Sequence, residues 1–226
     1  MELSNDLSKE SIYKYCKIHH LKLDPFYEYC FKRKEDANPT NLFIYTCWNG
    51  YLDFAQWLYY SEFINVKDTY VINTAFIQSC KAGHLHVVQW LYSLGNVDIH
   101  NGGDWSFFES CSNGHLHVAQ WLYSFGYVNI HLRDFMGKNA FQLSCKNGHL
   151  PVAQWLYYLK NSIEGHGDFV EQLEDHFSAF KLSCEEGHLH IAQWLLSLGI
   201  PVSITFDYPF LTSCKNGQLH IAQWLY

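Results

Sequence analysis

Histidine and cysteine are the residues of this chain whose types and spacing suggest chemistry. There are 14 histidines and 8 cysteines in 226 residues. Cys80, Cys111 and Cys184 are each followed four residues later by His84-x-His86, His115-x-His117 and His188-x-His190, and His149 and His220 extend the row. Such a pattern reads first as a transition-metal site. Zinc, however, needs about four ligands converging tetrahedrally. Two imidazoles at i, i+2 on a helix start diverge, whereas i, i+4 spacing shares a face. The cysteines fall on the side that must face a core. No metal site is therefore expected. Nor is there a Gly-x-Ser-x-Gly nucleophile, a phosphate-cradling loop ending in Lys-Ser/Thr, or a His-Glu-x-x-His helix. Gly102-Gly103 has no helix-borne lysine after it, and Glu185-Glu186 reads as a solvated helix end. No catalytic, cofactor or metal site is expected, and the chain is read as not an enzyme.

The elements that position these residues explain them better. The chain writes Phe-x-x-[Ser/Thr]-Cys-x-x-Gly-x-Leu-x-x-x-Gln-Trp-Leu six times, from Phe43, Phe76, Phe107, Phe141, Phe180 and Phe210. The repeated cysteines lie 33, 31, 34, 39 and 30 residues apart. A period in this range marks a solenoid of stacked supersecondary units. In the copy from Asn139 to Lys160, apolar positions 140, 141, 143 and 145 predict a two-turn helix, and Gly148 supplies the left-handed stop. Leu150 to Leu159 carries apolar residues at three- and four-residue spacing, a second helix. Neither is long enough to be stable alone, so each must bury Phe, Leu and Trp on the next pair. The Trp column (57, 90, 121, 155, 194 and 224) is expected to stack on itself from layer to layer. Equivalent cysteines in adjacent layers should stand about 10 Å apart, one helix diameter. That exceeds the roughly 7 Å a disulfide spans, so the cysteines read as small buried residues of a reducing, intracellular compartment.

Composition agrees. Hydrophobic residues make up 48% and charged residues 16%, enough for a continuous core and against wholesale disorder. The net charge is −7, and the strongest basic run, Lys32-Arg33-Lys34, is followed at once by Glu35-Asp36. Neither nucleic acid nor an anionic membrane surface is an expected partner. No apolar run approaches the roughly 18 residues of a membrane span, and the polar start Met1-Glu2-Leu3-Ser4 is not a secretory signal.

Between the helix pairs, Gly95 to Asp104 and Gly126 to His131 followed by Asp134-Phe135-Met136-Gly137 combine glycine stops, β-branched residues and turn chemistry. They predict projecting finger loops. At this point the unit resembles an ankyrin repeat. Asn147-Gly148-His149-Leu150, with Val152 and Leu156, matches that family's helix–turn–helix core, and Asp134-x-x-Gly137 matches its turn. The resemblance covers residues 38–226 and implies an all-α ankyrin-repeat solenoid of antiparallel helix pairs that binds a protein partner. The chain departs from the family at the Thr-Pro-Leu-His start of the first helix, here Asn139-Ala140-Phe141-Gln142, Thr74-Ala75-Phe76-Ile77 or Tyr208-Pro209-Phe210-Leu211. Phe packing is expected to replace the missing histidine network. The Phe/Ser-Cys/Gln-Trp-Leu dialect is similar to ankyrin proteins of giant, mimivirus-like DNA viruses, which implies a host-cytoplasmic setting.

The units are read as a degenerate capping repeat at 1–37, then 38–70, 71–101, 102–135, 136–174, 175–204 and an incomplete 205–226. The stop at Tyr226, inside a second helix, is expected to reflect a truncated array or a face covered by a partner. Function should lie where the copies differ. Binding candidates are Tyr70, Trp105, Arg133, Phe135, Phe206 and Tyr208, on fingers and a concave face, with Phe169 in the acidic insertion 161–176. That insertion is expected to be a loop on one face. The expected function is a non-enzymatic interaction scaffold. Alternatives are a substrate adaptor for ubiquitin ligation, which would need an F-box-like segment that residues 1–37 fit poorly, or a gene copy without a selected partner.

Overall fold

The computed structural model describes residues 18, 39–60, 64, 68–164, 169–199 and 207–226. The expected capping unit at 1–37 thus lies, apart from Ile18, outside the described residues. Among those described, the chain is all-α, with twelve helices and one isolated bridge, Arg133 to Asn139. It divides into two compact units, residues 1–98 and 99–226. The first unit holds α1 (Pro39–Trp48), α2 (Leu52–Tyr60), α3 (Thr69–Ala82) and α4 (Leu85–Ser93). The second holds α5 (Asn101–Ser112), α6 (Leu116–Tyr123), α7 (Ala140–Lys146), α8 (Leu150–Glu164), α9 (Phe169–Glu186), α10 (Leu189–Ser197), α11 (Asp207–Lys215) and α12 (Leu219–Leu225).

Each position of the repeated motif has a local physical reason. The Ser/Thr is buried in the first helix of the pair, and its hydroxyl donates back to a carbonyl one turn earlier. Thr46, Ser110, Ser144, Ser183 and Ser213 all donate 2.8 Å to the oxygen of their own motif Phe. A buried hydroxyl is thereby satisfied without a tertiary partner. The glycine ends that helix in the left-handed region. At Gly114 (φ 84°) the glycine N–H donates to Cys111 O and the His115 N–H to Ser110 O, at 3.1 and 2.8 Å. This is a Schellman stop, and the same two bonds recur in all six copies.

The tryptophans do not stack on one another. Trp90, Trp155 and Trp194 each insert between the Phe and the Tyr of the preceding copy, edge-on to the Tyr. In the first unit Trp90 lies 6.2 Å from Phe43 and 5.7 Å from Tyr59, centroid to centroid. In the second, Trp155 meets Phe107 and Tyr123 at 6.0 and 5.8 Å, and Trp194 meets Phe141 and Tyr157 at 6.3 and 5.8 Å. Edge-to-face contact suits ring quadrupoles better than the expected Trp ladder, which would set like π-faces together. Trp90 shows how much the ring contact outweighs the N–H. Its Nε1 is buried with no hydrogen-bond partner, a cost of about 1–3 kcal/mol. Burying an indole of roughly 200 Å² returns about 5 kcal/mol.

The last such contact is incomplete. Trp224 meets Phe180 at 6.4 Å, but Leu196 stands where the other copies have Tyr59, Tyr123 and Tyr157. Leu196→Tyr is expected to complete the triad and stabilise the α11–α12 layer by about 0.5–1 kcal/mol. Urea unfolding of the variant against the parent measures it, and an unchanged or lower midpoint would show that the triad is not the source of layer stability.

The described residues of the insertion, 161–164 and 169–176, are helical and not a surface loop. α8 runs on to Glu164 and α9 begins at Phe169, so the 39-residue spacing lengthens two helices on either side of 165–168. Phe169 to Phe177 contains neither glycine nor proline to stop a helix. Gly102-Gly103-Asp104 likewise lies inside the span of α5. These three residues have φ of 67°, 70° and 75°, a left-handed turn that kinks the helix start.

Candidate interaction site

The finger between α6 and α7 is the longest described irregular segment of the second unit. Its base is tied to α5. Asp104 is buried; its Oδ2 accepts the Asn129 N–H at 2.7 Å and its Oδ1 pairs with His100 Nδ1 at 2.5 Å. These bonds hold Asp104 in a left-handed conformation that costs a non-glycine residue about 1–2 kcal/mol. At the tip, Asp134 organises the turn. Its Oδ1 accepts the N–H groups of Met136 (2.9 Å) and Lys138 (2.8 Å), its carbonyl accepts Gly137 N–H, and its own N–H donates to Lys138 O. With the backbone fixed in this way, the two central side chains point outward. Phe135 is 96% exposed and Met136 70%.

Behind the turn stands a buried carboxylate. Asp175, on α9, is 6% exposed. Its Oδ1 accepts Arg133 Nη2 and Gln142 Nε2, both at 3.2 Å; its Oδ2 accepts Asn139 Nδ2 at 2.8 Å and has the Lys160 ammonium 3.6 Å away. Asn139 and Gln142 also form a reciprocal capping box at the start of α7. This polar assembly, rather than Phe packing alone, takes the place of the Thr-Pro-Leu-His network. Beside it Ile130, Phe141, Tyr157 and His176 line a shallow cleft. His176 packs on Phe141 and Tyr157 at 5.6 and 5.4 Å. Burial lowers its pKa below the usual histidine range, Lys160 lowers it further, and Asp175 opposes both.

The remaining candidates are scattered. Tyr70 lies in the first turn of α3, in the other unit, and is 75% exposed. Trp105 is half-buried and stacks on Phe108 of its own helix at 4.7 Å. Tyr208 is half-exposed on α11, with the Lys181 ammonium 3.8 Å above its ring. Phe206 and the side chain of Phe169 lie outside the described residues. Of the five candidates whose side chains are described, the structure brings together Arg133 and Phe135, with Asp175 behind them. Met136 and the fully exposed Tyr127 (φ 58°) were not among the candidates. The Asp134-x-x-Gly137 turn was the signal for Met136, because both central residues of such a turn face outward.

The histidines belong to the repeat. His149 packs over Gly114 and His188 over Gly148, each against the turn glycine of the preceding copy; in the first unit His84 packs over Gly50. Exposed His86 and His220 reach the carbonyls of Gly50 and Gly187 at 3.1 and 2.9 Å. His149 has its pKa lowered by burial first, then by His115 and His188. Among the described residues no group of three His, Cys, Asp or Glu side chains could hold a metal. Five of the six motif cysteines are buried, and burial pushes the Cys184 thiol up to about 12; only Cys214 is exposed.

These features define a helix–turn–helix repeat protein with finger loops. A family model described as "Ankyrin repeats (3 copies)" matches residues 42–134, 78–164 and 107–206, so the chain belongs to the ankyrin-repeat family. Members of this family are generally non-enzymatic protein–protein interaction modules. None of the curated proteins matches the chain. No helix among the described residues is long and apolar enough to cross a membrane.

Proposed function

We propose that this chain is a non-enzymatic scaffold that binds a protein partner through the finger at residues 126–139, with Phe135 and Met136 as its apolar anchors. The observation that carries this reading is the pairing of near-complete exposure with a fixed backbone. A 96% exposed Phe beside a 70% exposed Met sits on a turn closed by four hydrogen bonds. Large apolar side chains on a backbone that is already fixed cost less to order on binding, the property of interface anchors. Tyr70, Trp105, Arg133, Phe169, Phe206 and Tyr208 are the further candidates. Trp105 and Tyr208 rank lower because each already packs on its own chain. The repeat dialect supports placing the chain with the ankyrin proteins of giant DNA viruses, with a host protein as partner in a reducing, intracellular compartment.

The test is quantitative crosslinking of the full chain in its cell against the Phe135→Ala/Met136→Ala double variant. The partner crosslinked by the parent is expected to fall at least tenfold, while the unfolding midpoint stays within about 0.5 kcal/mol because neither side chain is buried. An unchanged set of crosslinked proteins would exclude the finger as the binding surface.

A further inference from the structure

The insertion that distinguishes the fifth copy from the others ends in Asp175, and Asp175 is wired to the finger of the copy before it. Arg133 makes the connection. Its Nη1 donates to Gly137 O in the tip turn at 3.1 Å, and its Nη2 donates to Asp175 Oδ1 at 3.2 Å. One planar guanidinium thus spans from the turn that carries Phe135 and Met136 to a carboxylate on α9. A second strut runs parallel: Lys138, the residue after the turn, donates from Nζ to Ser178 Oγ of α9 at 3.0 Å. Asn139 and Gln142 fix the other side of the same carboxylate. In a medium that excludes water from Asp175, these charge-assisted bonds are stronger and more directional than surface pairs.

We propose that Asp175 is a positioning residue for the interaction site: the extended α9 acts as a latch, through Arg133, that holds the finger turn in the shape presenting Phe135 and Met136. The proposal rests on the reading of those two side chains as anchors, but it concerns the free protein. Without the Arg133–Asp175 contact the Asp134 turn keeps its internal bonds and the Lys138 strut alone, and the tip samples other conformations. Through Asp175 the insertion is then a conformational control on a neighbouring finger.

Hydrogen exchange of the full chain, followed by mass spectrometry, tests this in three variants: Arg133→Gln, Asp175→Asn and the double. Amides of residues 133–139 are expected to exchange at least about tenfold faster in each single variant, with α10 to α12 unchanged, since local openings differ independently of global stability. The double variant is expected to exchange no faster than the faster single, as befits two halves of one contact. Unchanged exchange at the finger in Arg133→Gln overturns the proposal, as does an additive double variant or a loosening spread evenly from α8 to α12. Arg133 is partly exposed and decides the matter alone if Asp175→Asn fails to fold. No partner is needed for this readout, so a failed latch and a failed binding surface give separate results.

Discussion

Alanine at Phe180 is expected to destabilise the second unit by about 3–5 kcal/mol, the range for deleting a buried Phe ring. Phe180 is 2% exposed. It lies in a cluster with Cys145, Ala153, Ala179, Cys184, Ile191, Ala192, Leu195 and Ile221, and Trp224 packs against its ring. The removed ring would leave a void between small residues, the Cys and Ala positions of the motif, which cannot reach across to fill it. The loss should also be directional. In stacked repeats each layer is stabilised by its neighbours, so α10 to α12 should lose protection before α5 to α7. Urea unfolding gives the size, and hydrogen exchange gives the order. A loss under about 1.5 kcal/mol would mean that the core relaxes around the gap and that the Phe column is replaceable. The same comparison with half-buried Phe141 provides the scale, since its truncation removes less apolar area from the interior.

The same cluster shows what the sequence could and could not disclose. Cys145, Gly148, Leu150 and Leu156 recur at fixed spacing, so helix, stop and helix were legible, together with the family. Trp194 was legible as a structural residue, but its neighbours were not. Phe141 lies 53 residues before it and Tyr157 lies 37 before it, and periodicity says nothing about which faces meet across a layer. The insertion misled for a different reason. Five acids and two glycines within Asn161 to His176 resemble a solvated loop, whereas 161–164 and 169–176 belong to two helices. Nothing in the sequence separates Asp175 from Glu174 one residue earlier. On the helix one faces Arg133, Asn139 and Gln142, and the other faces water. Phe135 stands out as a candidate because it departs from the repeat. The fixed backbone beneath it, set by the bonds to Asp134, required the structure.

Gly114→Ala against Gly126→Ala separates two roles of glycine that look alike in the sequence. Both residues lie in the left-handed region, with φ of 84° and 79°, so alanine pays the same backbone strain of about 1–2 kcal/mol at each, and stiffening of the unfolded chain cancels in the comparison. Their surroundings differ. A Cβ at Gly126 meets nothing within 4 Å, whereas one at Gly114 would lie 2.5 Å from His149 Nδ1 and 2.7 Å from its Cγ. The imidazole would have to move off the turn it packs on. It starts α8, whose Val152 and Ala153 N–H groups both donate to the His149 carbonyl, so moving the ring strains the helix start. The expected cost is about 1 kcal/mol at Gly126 and about 3 kcal/mol at Gly114, the excess being overpacking at a rigid site. Double substitution supplies the proof of cause: His149→Ala should cost stability by itself but should remove most of the excess penalty at Gly114, because the clashing ring is gone. If Gly114→Ala and Gly126→Ala cost the same, the glycine column is a matter of backbone conformation only. The histidines after the turns would then be passengers of the repeat and not the inter-layer packing groups their geometry describes.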